Sequence, residues 1–227
     1  MKIKFGAAIV DGRGKIGGHV ASKNRAGAYL RTKVTPVNPR SAKQVAVRAR
    51  LGTLAIAWRG LTAAQRIQWN SAVAAFKQTD IFGDLRNPTG FNLYQRLNNN
   101  LAIAGIAAIS VPPLPLAVSA LATMTPTQAP AGATSIGYTA TPTPALHTLV
   151  VKATAPVSPG KSFVKSEFRI IGTVAPAAVS PYVATAAYAA VFGGPGLAGQ
   201  KVFFEAFYVH NTTGQRGLAL QASCIVA

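Results

Sequence analysis

Three glycines at Gly12, Gly14 and Gly17 spell G-x-G-x-x-G, the spacing at which a backbone turns tightly beneath a dinucleotide pyrophosphate. That chemistry also needs a strand before the turn, a helix after it, and an acidic side chain about 20 residues on for the ribose. The run "FGAAIV" (5–10) could supply the strand, but no acid occurs between Asp11 and Asp80, and the following stretch is broken by Gly27. Lys15 is followed by Ile16, so the Lys-Ser/Thr pair of a phosphate loop is missing too. The glycines are read instead as letting a basic chain bend closely along a surface. No cofactor is expected.

The remaining reactive side chains are few and scattered. Asp80 and Asp84 share the polar loop "QTDIFGDLRN", where Arg86 follows them; a metal site converges more oxygen ligands than two. His19, His147 and His210 have no ligand partner at helical spacing. Glu205 lies between Phe203 and Phe207 on one strand face, which predicts an exposed face or a pair with Arg169 or Lys201. The single cysteine, Cys224, excludes an internal disulfide and is read as a buried thiol. No enzyme, metal or small-molecule substrate is expected.

Charge is the strongest compositional feature. The 227 residues carry 23 Lys and Arg against 5 Asp and Glu, a formal +18. Residues 1–100 hold 17 basic and 3 acidic side chains, whereas residues 101–227 hold 6 and 2, so a basic half is followed by a nearly neutral one. Such an excess favours an acidic partner: nucleic acid, an anionic membrane or the negative face of another protein. The apolar stretch after Leu101 is interrupted by Pro112, Pro113 and Pro115, so no membrane span is expected.

These features sit on elements of three kinds. Residues 1–40 contain nine basic residues and six glycines without a sustained apolar period, and are read as an extended basic arm unable to fold alone. In it, Arg13, Lys15, Lys23, Arg25, Arg31, Lys33 and Arg40 are candidate contacts to a partner or to nucleic acid, joined by Lys43, Arg48 and Arg50. Phosphate contact needs only such side chains, but stacking aromatics are sparse, so sequence reading of a nucleic acid is not expected.

Capping boxes at "SAKQ" and "TAAQ" predict helix starts at Ser41 and Thr62. Val47, Leu51, Leu54 and Trp58 form one apolar stripe, and Gly60 stops that helix. Trp69, Val73 and Phe76 form the next, with Ile67 on nearly the opposite face; Leu93, Tyr94, Leu97 and Leu101 form a third. Trp58, Ile67, Trp69, Phe76 and Tyr94 are the candidate docking residues of this helical module (41–106). After a Pro-rich linker (107–115), seven short runs divided by Pro, Gly, Ser and Thr predict an all-β sandwich of immunoglobulin or fibronectin type III kind (116–227). "VATAAYAAVF" is taken as one of these strands, and Gly214 as the positive-φ residue of the last hairpin. The fold class is thus α+β in several segments.

The segments "GKIGG", "SKNRAGAYLRTKVTPVNPRSAKQ", "AWRGLTAAQRIQWN" and "GFNLYQRLNNNL" resemble phage- and prophage-encoded structural proteins, over residues 12 to about 104 and into "VSPGKSFVKSEFRIIG" and "GQKVFFEAFYV". The resemblance brings no catalytic residues. It implies a structural virion protein of the capsid, portal region or tail, made in the bacterial cytoplasm and incorporated in the virion. Such a protein would anchor to other virion proteins in a symmetric ring or lattice. The alternative is a nonspecific nucleic-acid-binding protein packaged with, or condensing, the genome.

Overall fold

The computed structural model describes residues 12–24, 27–80, 82–130, 132–141 and 143–227. The strand reading of residues 5–10, Asp11 and Arg25 lie outside them. The chain is mixed α+β, with four α-helices and several antiparallel sheets among the described residues.

The first sheet is a meander, β1 (Gly14–Ile16), β2 (His19–Asn24) and β3 (Gly27–Thr32), paired in that order. This corrects the reading of residues 1–40 as an arm without regular structure. Gly17 and Gly18 make the tight turn from β1 to β2, so the glycine motif leads into a second strand where a dinucleotide turn would lead into a helix. The sheet satisfies its backbone by pairing, not by a core: Ala21 is its one buried apolar residue among those described. Residues 33–40 continue exposed and without helix or strand.

Three helices follow. Helix α1 (Ala42–Gly60) is capped by the Ser41 hydroxyl, which accepts from the Gln44 amide. Helix α2 (Ala63–Ala72) has the reciprocal box of Thr62 and Gln65, and a 3-10 turn (Val73–Phe76) extends it. A small hairpin, β4 (Gln78–Thr79) and β5 (Leu85–Arg86), leads to α3 (Gly90–Ile103), capped by Thr89. Helices α2 and α3 meet closely at Gly90, where a Cβ would lie 2.9 Å from the Asn70 backbone nitrogen. Leu54, Trp69, Phe76, Leu93, Tyr94 and Leu97 make the core of this module. Trp69 and Trp58 both pack on the Tyr94 ring, with centroids 5.2 and 5.3 Å away.

The β part has two sheets, numbered as they occur: β6 (Thr123–Gln128), β7 (Thr134–Thr139), β8 (His147–Ala153), β9 (Arg169–Val174), β10 (Tyr182–Val183), β11 (Lys201–His210) and β12 (Leu220–Ile225). Strand order is β10-β7-β6 in one and β12-β11-β8-β9 in the other, and one core takes side chains from both, among them Ile136, Tyr138, Leu149, Val151, Phe204 and Tyr208. The predicted strand at "VATAAYAAVF" is corrected: after the two residues of β10 the chain forms helix α4 (Thr185–Phe192). Alanine favours helix, and Tyr188 anchors it with its ring in the core and its hydroxyl donating to the Thr154 carbonyl at 2.9 Å. The first of the seven predicted runs, "LAVSALATM" (116–124), also turns to strand only at Thr123.

The two parts are in contact. Ile103 and Ala104 at the end of α3 pack on Val150, Phe207 and Val209 of the four-stranded sheet, and Asn100 Nδ2 donates to the Gly214 carbonyl. The proline-rich stretch is tied at both ends: Ile109 is bonded to Asn98 on α3, while Leu114 and Leu116 are bonded to the Gln215 side chain. No helix among the described residues is long and apolar enough to cross a membrane.

Candidate functional site

The basic candidates gather on the first sheet and on the leading half of α1. Register places Lys15, Val20 and Arg31 in one row across the sheet, with Ser22 opposite Tyr29 on the same face. Ile16, His19, Ala21, Lys23, Ala28 and Leu30 occupy the other face by the strand's alternation. Arg13, Lys15, Lys23, Arg31, Lys33, Arg40, Lys43 and Arg48 are all exposed. Arg50 is half-buried, and its Nε makes no hydrogen bond. Arg48 donates to Asn38 Oδ1 at 2.8 Å, which holds the incoming segment against α1.

Helix α1 is only partly used by the fold. Leu54 is its one buried residue, while every residue from 42 to 49 and from 51 to 53 is exposed. The stripe that carries Leu54 and Trp58 onto α3 runs on through Leu51 and Val47, which remain 42% and 45% exposed. One side-chain hydrogen bond among the described residues, from the Gln95 amide to the Leu51 carbonyl, reaches back from α3 to this part of the helix. Its first turn carries Lys43 and no acid, although a helix N-terminus favours negative charge.

The aromatic docking candidates are corrected. Trp69, Phe76 and Tyr94 are buried, because the module spends its bulky side chains on closing α1, α2 and α3 around one core. Trp58 is half-buried beside Phe91 and Tyr94. Ile67 alone among these five is well presented, at 64% exposure. Reading a stripe as a docking face missed that a three-helix module must first fill itself. Val47 and Leu51 are the apolar residues the reading placed on that stripe but did not single out.

The acidic candidates are structural. Asp80 Oδ1 accepts from the amides of Phe82 and Asp84, and Oδ2 from Arg86 Nε at 2.9 Å. Burial pushes this carboxyl up, but those donors outweigh it and hold the group below the usual range. Glu205 meets Lys152 at 2.6 Å and Gln221 at 2.9 Å; its expected partners, Arg169 and Lys201, are replaced because β8 and β12 put Lys152 and Gln221 directly opposite. Desolvation works against its charge, and Lys152 and Gln221 lower its pKa on balance. Cys224 is half-buried, and burial pushes its thiol up. Leu218, two residues before β12, is 79% exposed. No three of His, Cys, Asp and Glu among the described residues converge on a metal position.

Lys15, Arg31 and Tyr29 thus share one face of the first sheet, and the leading half of α1 presents Lys43 and Arg48 beside the exposed Val47 and Leu51. No family model matches the chain, and no curated protein or solved structure matches it either.

Proposed function

We propose that this chain is a structural protein of a bacteriophage particle that attaches to neighbouring subunits through the first sheet and the leading half of α1. On this reading its β part is held outward as a fibronectin type III-like sandwich. The carrying observation is the unfinished stripe of α1, where Val47 and Leu51 stand exposed between Lys43, Arg48 and Arg50. A monomer gains nothing by leaving two such residues in water, whereas an acidic protein surface would cover them and neutralise the flanks. The phage context is supported by the resemblance of residues 12 to about 104. The sandwich reading is supported by strand order: in chain order the seven strands fill positions A, B, C, C′, E, F and G, with α4 between E and F.

Magnitudes shape the mode of attachment. Full burial of Val47 and Leu51 would contribute about 1.5–3 kcal/mol each, and roughly half is already realised, leaving about 2 kcal/mol. A micromolar contact needs about 8 kcal/mol. The sheet, the charges and repetition in a ring or lattice must supply the difference.

The double variant Val47→Asp/Leu51→Asp tests this. It should keep its circular dichroism and lose about 2 kcal/mol of stability or less in urea, since each side chain is only about half covered, yet fail to co-sediment with assembled particles. Normal incorporation would overturn the proposal. The rival reading, nonspecific nucleic-acid binding, is favoured by Lys15, Arg31 and Tyr29 on one sheet face. If about six of the basic residues met phosphates, the log-log salt slope of DNA binding would be about −5. A slope near zero removes it.

A further inference from the structure

We infer that the cleft between α3 and the β11–β12 connection is a binding site for a small organic oxyanion, gripped by Arg96 and Arg216. The cleft has a volume of about 340 Å³ and is lined by Phe76, Arg96, Leu97, Asn100, Gln215 and Arg216. Two arginines therefore line one space, and no lining residue is acidic.

Neither cation has a carboxylate within ion-pair distance among the described residues. Arg96 projects from α3 beside the Phe76 ring, with its guanidinium carbon 5.9 Å from the ring centre. It makes no hydrogen bond or ion pair with any described residue. Burial pushes its pKa below the ordinary arginine value; the group stays charged, and the shift reports how poorly the cleft hydrates that charge. Arg216 stacks on Phe207 at 4.5 Å and has no ion-pair partner among the described residues. The described carboxylate side chains are occupied elsewhere: Asp80 and Asp84 by Arg86, Glu167 by Lys161, and Glu205 by Lys152 and Gln221. Glu205 is close enough to feel Arg216, but its oxygens already accept from those two donors.

The polar neighbours narrow the ligand class. The Gln215 side chain is committed at both ends, to the Leu116 amide and the Leu114 carbonyl, so it shapes the wall. Asn100 Nδ2 has one hydrogen on the Gly214 carbonyl and a second to offer. The donor set is thus two planar forks and an amide, which suits a carboxylate or phosphate oxygen triangle. The space exceeds what a bare oxyanion fills, and Phe76 and Leu97 supply an apolar wall. A ring or short chain bearing one oxyanion matches both halves. The site is separate from the exposed end of α1, and its ligand has no bearing on what α1 attaches to.

Calorimetric titration of the full chain with phenyl phosphate and with benzoate, at matched ionic strength, tests the assignment. Saturable one-to-one binding of at least one probe is expected, weakened about tenfold or more in Arg96→Gln and in Arg216→Gln. Arg216 is exposed, so its variant keeps the fold even if Arg96→Gln loosens the module. The surface control Lys43→Gln/Arg48→Gln should bind as the parent does. Preference for phenyl phosphate identifies a phosphate monoester, and preference for benzoate a carboxylate. Binding unaffected by both arginine variants, binding abolished in the surface control, or no saturable binding of either probe would each overturn the inference.

Discussion

His147 and His210 face each other across β8 and β11, with ring centroids 4.9 Å apart and planes nearly perpendicular. His147 donates from Nδ1 to the Ala145 carbonyl at 2.7 Å, because a carbonyl can only accept. Its Nε2 is buried and has no hydrogen-bond partner among the described residues. His210 is 7% exposed, and burial, followed by repulsion from His147, pushes its pKa below the ordinary value. A histidine depressed in this way contributes stability that is present above its unfolded pKa, about 6.5, and drains as pH falls through that value toward the folded one. Asp80 and Glu205, held below the usual carboxylate range, lose their contributions only below about pH 4 to 5. Urea midpoints should therefore be level from pH 8 to about 7 and decline toward pH 5.5, and His210→Gln should flatten that decline. An unchanged slope in the variant would remove His210 as its source. Sequence listed both histidines as isolated; only strand register made them a pair.

At the scale of elements, the helix caps at Ser41 and Thr62 were legible because a capping box is a local event of four residues. The role of Asn98 was not. It reads as one of three polar residues around the back of α3, yet it is fully buried and grips the following segment. Its Oδ1 accepts from the Ile109 amide at 2.7 Å, and its Nδ2 donates to the carbonyls of Tyr94 and Ile109. Trp69 adds a bond from Nε1 to the Ser110 carbonyl at 2.8 Å. Asn98→Ala would strand a buried amide and should lower stability by about 2–3 kcal/mol, read from urea unfolding. A loss below about 0.5 kcal/mol would mean that water or a shifted backbone replaces the side chain. Helix α4 was missed for the opposite reason: an alanine-rich apolar run of eight residues has no period to distinguish helix from strand.

At the scale of the molecule, the helical and β parts are locked through the β11–β12 turn. Gly214 has φ of +67°, and a Cβ there would lie 2.9 Å from the Leu97 carbonyl carbon and 3.1 Å from Leu101 Cγ. The hairpin conformation and the close approach to α3 thus demand glycine for two separate reasons. Gly214→Ala should destabilise the protein by about 1–3 kcal/mol. It should also raise amide exchange along α3 more than in β8, since the β core is filled without the helices. Equal protection of α3 in parent and variant would show that the two parts hold together by other contacts. The proposed anion cleft depends on the same junction, so this variant should also weaken binding of whichever probe the parent takes.

By itself the sequence determined the imbalance of charge, the three-helix and multi-strand composition, and the caps that start α1 and α2, because each depends on residue type or on spacing within a few turns. It also marked most of the basic surface, since Lys and Arg side chains rarely leave water. Tertiary structure alone decided which apolar stripe was spent inside and which was left over, that a glycine-rich stretch pairs with itself as a sheet, and that Arg96 and Arg216, 120 positions apart, line one cleft. Those outcomes depend on contacts between distant segments, whose energies no local pattern encodes.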